Sequence, residues 1–141
     1  MQDELRARLA DYLSQHRAGV LSTAGSVGAW ATLVRYHSHD LEIDCLVPSW
    51  ADAAYYLEQD PRVLLVITSP PQARGSEGGL RWLEVRGTAR PVADPDWAAL
   101  LLDERPDARP ADRYRVVRVT PQRLDLFDES RGWGVRETLE L

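Results

Sequence analysis

A chain of 141 residues with 44% apolar and 28% charged side chains has the composition of one ordinary globular domain, which excludes disorder as its main state and leaves no room for a second core. Its formal net charge is −5 and all 17 basic residues are arginines, so lysine chemistry such as Schiff-base formation is excluded and no nucleic-acid partner is expected. The start carries no basic-then-apolar leader and no apolar stretch reaches membrane-spanning length, so the expectation is a cytoplasmic protein with no membrane contact.

In chain order, Asp3 is placed to cap a first helix whose Leu5, Leu9 and Leu13, with Tyr12 one step off, keep helical spacing to about His16, and Gly19 stops it. Residues 20–24 form a short strand, residues 25–28 a Gly-containing turn and residues 29–37 a longer strand, which together predict a hairpin. A second turn at residues 38–40 leads to residues 41–47, where Leu41, Ile43, Cys45 and Val47 alternate with Glu42 and Asp44. That pattern makes the single cysteine a buried small side chain, and a lone cysteine excludes an intrachain disulfide or a cysteine metal cluster. His16, His37 and His39 have no metal-ligand spacing, so no metal is expected, and the latter two are predicted at the surface beside the turn.

Pro48-Ser49 breaks this strand, and residues 50–59 have helix-forming composition up to Asp60-Pro61. Residues 62–68 enclose Val63-Leu64-Leu65-Val66-Ile67, a β-branched run predicted as a central strand, and residues 69–79 form a Pro- and Gly-rich loop. Residues 80–92 make a long strand in which Gly87 predicts a bulge or bend. Asp94-Pro95 opens a helix that runs through Leu102, and residues 105–110 form a loop. Two strands follow, residues 113–120 and 122–128, divided by Pro121, and Gly132-Trp133-Gly134-Val135 leads into a last extended stretch. Strands at hairpin spacing with a few short helices predict a mainly β (α+β) domain, an antiparallel barrel closed or nearly so, because closure removes exposed strand edges.

This order of signals resembles the pyridoxamine 5'-phosphate oxidase-like, FMN-binding split-barrel superfamily. The likeness is carried by Val20-Leu21-Ser22-Thr23, by Leu57-Glu58-Gln59-Asp60-Pro61-Arg62-Val63, by Trp82-Leu83-Glu84-Val85-Arg86-Gly87-Thr88-Ala89 and by Val119-Thr120-Pro121-Gln122-Arg123-Leu124, over residues 5–136. The resemblance implies a single domain spanning residues 1–141, a six-stranded antiparallel split β-barrel with short flanking helices, that works as a homodimer with FMN in clefts at the subunit boundary. It implies an oxidoreductase acting on a small organic substrate, with Thr32, Val34 and Arg35 of the second strand and Ser49, Trp50 and Ala51 of the crossover loop as cofactor-binding residues. Trp82 and Trp133 would cover the ring from the neighbouring subunit.

The chain departs from the family at one point. Many members carry a Lys or Arg four residues before the crossover-helix leucine, where this chain has Ala53 with Asp52 beside it. A lost charge-assisted hydrogen bond of about 1.5–3 kcal/mol weakens phosphate binding roughly ten- to a hundred-fold. Either another arginine such as Arg35 takes over, or the ligand is a deazaflavin or haem, or the protein is a non-catalytic binder on the same fold. Each candidate also has a plainer reading: a strand-end arginine is often solvated, Ser49 after a proline is a routine turn residue, and large aromatics commonly fill cores and interfaces. No nucleophile, acid–base pair or metal set stands out, which suits an enzyme whose cofactor carries the chemistry.

Overall fold

The computed structural model describes residues 2–26, 28–69, 79–101 and 109–141. Helix α1 (Gln2–Gln15) precedes strands β1 (Ala18–Thr23), β2 (Ala31–His39) and β3 (Glu42–Pro48). Helix α2 (Asp52–Gln59) then crosses to β4 (Arg62–Thr68) and β5 (Arg81–Pro91). Two single-turn helices, α3 (Trp97–Leu100) and α4 (Pro110–Arg113), lead to β6 (Tyr114–Asp128), a 3-10 turn (Glu129–Arg131) and β7 (Arg136–Glu140). The sheet order is β3-β2-β1-β4-β5-β6-β7, every pair is antiparallel, and β3 also pairs with β6. Six strands therefore close into a barrel, with β7 added along the outer half of β6.

Strand alternation fills this barrel. Val63, Leu65 and Ile67 of β4, Leu83 and Val85 of β5, Ile43 and Cys45 of β3 and Val119 of β6 are fully buried in one core. Each such aliphatic side chain contributes about 1.5–3 kcal/mol by leaving water. Burial in this apolar interior raises the Cys45 thiol pKa, which keeps it protonated and inert. Helix α1 plugs the barrel with Leu5, Leu9, Tyr12 and Leu13, and two phenols tie it down: Tyr12 Oη donates to the Ile67 carbonyl at 2.9 Å, and Tyr36 Oη to the Leu13 carbonyl at 2.7 Å. A smaller cluster of Leu46, Leu100, Leu101 and Val116 seats α3 on the outside.

Several elements differ from the sequence reading. Asp3 lies inside the first turn of α1 rather than ahead of it, and the helix ends at Gln15, where His16 Nδ1 sits 2.7 Å from the Tyr12 carbonyl; Gly19 belongs to β1. The second turn moves to Asp40 and Leu41, because Asp40 takes the left-handed conformation (φ 53°) that a tight hairpin requires. The crossover helix starts two residues later than expected, at Asp52, since the Ala51 N–H is spent on the Pro48 carbonyl in a turn. Helix α3 is capped by Asp96, whose carboxylate accepts from the Ala99 N–H at 3.1 Å, so Pro95 precedes the helix instead of opening it. The expected helix end at Leu102, most of the 69–79 loop and most of the 105–110 loop lie outside the described residues.

The expected break at Pro121 does not occur. Strand β6 runs unbroken through it, because the β5 register shifts between Arg86 and Gly87 and places Gly87 opposite Pro121, where the missing proline N–H costs no ladder bond. A Cβ on Gly87 would stand 2.2 Å from the Thr120 carbonyl oxygen, so only glycine lets the two backbones approach this closely. Gly87→Ala is therefore expected to destabilise the domain by about 1–3 kcal/mol in denaturant unfolding. An unchanged midpoint would show that the bulge does not need its glycine.

Candidate functional site

The site region is built where β2 and the β3–α2 crossover meet. Asp60 caps the C-terminus of α2, and its carboxylate takes the Arg62 guanidinium on both oxygens, Nε at 3.0 Å and Nη2 at 2.7 Å. Its Oδ2 also accepts from the Ser26 N–H at 3.4 Å, and a Cβ on Gly25 would lie 2.0 Å from that oxygen. The Asp60-Pro61-Arg62 step thus clamps the turn between β1 and β2 against the start of β4, and Ala24 N donates to the Arg62 carbonyl at 3.0 Å.

Beyond this turn, residues 29–32 and residues 50–53 line a cleft of about 310 Å³. Of the residues singled out from the sequence, Thr32, Trp50 and Ala51 line this cleft together, joined by Trp30, which sequence reasoning did not single out. Trp50 is 84% exposed, a large apolar ring left in water. Asp52 and Ala53 line the same cleft, and its described lining contains no arginine.

A second cleft of about 500 Å³ lies across Trp50, lined by Pro48, Ser49, Trp50, Asp112, Arg113 and Tyr114. It exists because β3 pairs with β6, which sets Pro48 opposite Tyr114, and because Ser49 N donates to the Arg113 carbonyl at 2.7 Å and Ser49 Oγ to the Asp112 carbonyl at 3.3 Å. Arg35, on the next strand, donates from Nη1 to Tyr114 Oη at 3.3 Å. Ser49 therefore lines the second cleft and not the first, and Arg35 lines neither, reaching the second only through Tyr114. Arg113 and Tyr114 were missed from sequence because only the long-range β3–β6 register brings them to Ser49.

The remaining sequence candidates sit elsewhere. The Val34 side chain is 2% exposed inside the barrel, so it cannot line either cleft, and only its backbone is available. Trp82 lies on the outer face of β5, stacked on Phe127 with ring centroids 4.7 Å apart and bonded through Nε1 to Glu84 at 3.0 Å. Trp133 is 92% exposed between Gly132 and Gly134, both at positive φ. A further cavity of about 680 Å³ holds none of the sequence candidates; it lies between α2, the end of β5 and α3, and shares only Tyr114 with the second cleft.

The outer face also carries Asp125, a carboxylate 1% exposed. Burial works against its ionisation, yet bonds from Arg123 Nε (2.9 Å) and Thr138 Oγ1 hold its pKa below the usual carboxylate value. Arg86 joins the group at 3.3 Å. Among the described residues no set of His, Cys, Asp and Glu side chains could hold a metal ion, and no helix is long and apolar enough to cross a membrane.

No protein-family model matches the chain and no curated protein matches its sequence. Solved structures do match. A Clostridium acetobutylicum protein related to general stress protein 26, of the pyridoxinephosphate oxidase family, superposes with a TM-score of 0.68 at 11% identity, over 100% of this chain and 97% of that one. A FAD-binding protein from Mesorhizobium loti gives 0.63 at 16% identity, over 86% and 94% of the two chains. A heme binding protein from Mycobacterium smegmatis gives 0.64 at 20% identity, over 96% of this chain and 56% of that one.

The clamp yields a test. Asp60→Asn keeps the size but loses the ionic partner of Arg62, and should lower the melting temperature at pH 7 more than the exposed Asp52→Asn does. Because the Arg62 guanidinium holds the Asp60 carboxyl well below the usual range, its stabilisation is present above about pH 4 and fades as pH falls toward the lowered value. The gap between wild type and Asp60→Asn should therefore shrink in acid; a gap constant from about pH 7 to pH 2 would contradict the clamp.

Proposed function

We propose that this chain, a split barrel of the pyridoxamine 5'-phosphate oxidase-like superfamily, is a flavin-binding oxidoreductase that acts on a small organic substrate as a homodimer. The observation that supports it best is the cleft at Thr32 and Trp50: a hydroxyl donor and two tryptophan faces, at a rim of the barrel next to a sheet face that carries apolar residues outward.

The residues fit a planar aromatic ring with polar edges. Trp50 and Trp30 offer apolar faces, Thr32 offers a hydroxyl, and the backbone of residues 29–32 runs along the cleft. A haem iron fits less well, because the described lining of this cleft includes no His, Cys, Met or Tyr side chain to ligate it. Bound flavin supplies hydride or electron transfer, and the protein's part is to position the ring and keep water from it. Asp52 and Ala53 favour a second reading, a non-catalytic binder that has lost the family's phosphate grip.

The homodimer is supported by the outer face. Leu33 (70% exposed) pairs in register with Val20 (42% exposed), which pairs with the half-buried Val66, giving an apolar row across three adjacent strands where a solvated face would alternate to polar residues. Trp133, with its ring exposed, is free to lie over a ligand held by a second copy, whereas Trp82 is committed to Phe127.

Two outcomes test this reading. Denaturing protein purified without added cofactor should release a flavin identifiable by fluorescence and mass; no released flavin, together with no binding of FMN at micromolar concentration, would end the flavin assignment. Light scattering should give twice the 15.9 kDa chain mass, and Leu33→Asp should yield a folded monomer with an unchanged circular dichroism spectrum. Wild-type protein that stays monomeric at micromolar concentration would rule out the homodimer.

A further inference from the structure

The cavity of about 680 Å³ between α2, the end of β5 and α3 has a floor made by the barrel core itself, where the buried Leu57, Ala89 and Val117 line it. Trp97 and three prolines form much of its wall, and a proline brings no backbone N–H, so the interior suits an apolar body.

One lining residue breaks the pattern of its strand. Along the first half of β6 the core-facing row runs Arg115, Val117, Val119, because these pair in register with Val47, Cys45 and Ile43, all fully buried. Directly paired residues share a face of the sheet, so strand alternation puts Arg115 where an apolar side chain is due. Its side chain lines the cavity, stays exposed, and has no hydrogen-bond or ion-pair partner among the described residues. A planar fork of donors beside an apolar chamber matches a carboxylate, which it can hold on both oxygens. Glu58, Arg90 and Asp94 also line the cavity without side-chain partners among the described residues, so the four charges cancel and a polyanion is disfavoured. Those three lie where polar residues are expected, on the exposed side of α2, the outward row of β5 and the loop after it. Only Arg115 occupies a core-facing place.

From this geometry we infer that the cavity binds an amphipathic monocarboxylate, with its apolar body over Leu57, Ala89 and Val117 and its carboxylate on Arg115. The inference does not rest on the flavin reading, since this cavity shares no residue with the cleft at Thr32 and Trp50 and only Tyr114 with the second cleft.

The test compares octanoate, octanol and octylamine, which share a chain and differ in head group, by titration calorimetry at pH 7. Wild type should bind octanoate at least about tenfold tighter than the other two, and each methylene removed on the way to hexanoate should weaken binding about fourfold. Arg115→Leu, which completes the apolar row, should keep the circular dichroism spectrum and bind octanol at least as well, yet lose the preference for octanoate. Arg115→Gln, which removes the charge but keeps a polar side chain, should lose that preference too and decides the matter if the leucine variant does not fold. No binding of octanoate at millimolar concentration, equal affinity for octanoate and octanol, or a preference that survives both substitutions would overturn the site. Tighter binding of octylamine would also overturn it, by placing the head group on Glu58 and Asp94 instead.

Discussion

The structure depends on one pairing, that of β3 with the first half of β6. Ile43, Asp44, Cys45, Leu46, Val47 and Pro48 run antiparallel to Val119 back through Tyr114, while the same stretch of β6 begins its ladder with β5 on its other edge. Without that seam the sheet would be an open ribbon with β3 as a bare edge, and the side chains of Ile43, Cys45 and Val119 would have no opposite wall to pack against. A strand of 15 residues can serve two neighbours in this way only if it bends, and the bend is supplied at Gly87 and Pro121. Asp44 and Arg118 add an ion pair across the seam at 2.8 Å, which at an exposed position contributes direction more than energy.

The candidate site is a by-product of the same seam. Closure carries Pro48, Ser49 and Trp50 to the start of β6, so that two clefts of different chemistry share one tryptophan wall. One is lined by Asp52 and two tryptophans; the other holds Asp112 and Arg113 beside a serine and a tyrosine. The Asp60 clamp acts from the opposite side by fixing the turn that precedes β2, and it does so with charge-assisted bonds rather than with packing, since Gly25 leaves no side chain to pack. The likenesses to proteins named FAD-binding and heme binding show a shared fold, and a shared fold does not decide which ligand a chain takes; local residues do.

Much of the barrel could be read from the residues alone. The run from Arg62 to Thr68 became β4 with the expected bounds, because five consecutive apolar residues with β-branching have few alternatives. Gly87 marked a bulge because glycine inside a strand weakens it unless another backbone needs the space. Cys45 is buried, and His37 and His39 are exposed, as strand alternation requires. Pro121 misled, since local sequence cannot reveal that a register shift in the partner strand relieves the missing N–H. Of the residues named from the sequence, Thr32, Trp50 and Ala51 line one cleft. Val34 does not line it, because a residue two positions from Thr32 still faces the core in this part of β2, where the side chain of Thr32 is only half-buried at the rim. The place of Arg113 beside Ser49 could not be read from sequence, because it comes from a contact 64 residues away in the chain, fixed by closure and by no nearby pattern.

Hydrogen exchange followed residue by residue tests that closure most directly. If β3 and the first half of β6 seal the barrel, amides across residues 43–47 and 115–119 should belong to the slowest set and exchange together, at the free energy of global unfolding. Exchange of the β3 amides within seconds, ahead of β4 and β5, would mean that β3 is a free edge, and the two clefts built on the seam would not exist as described.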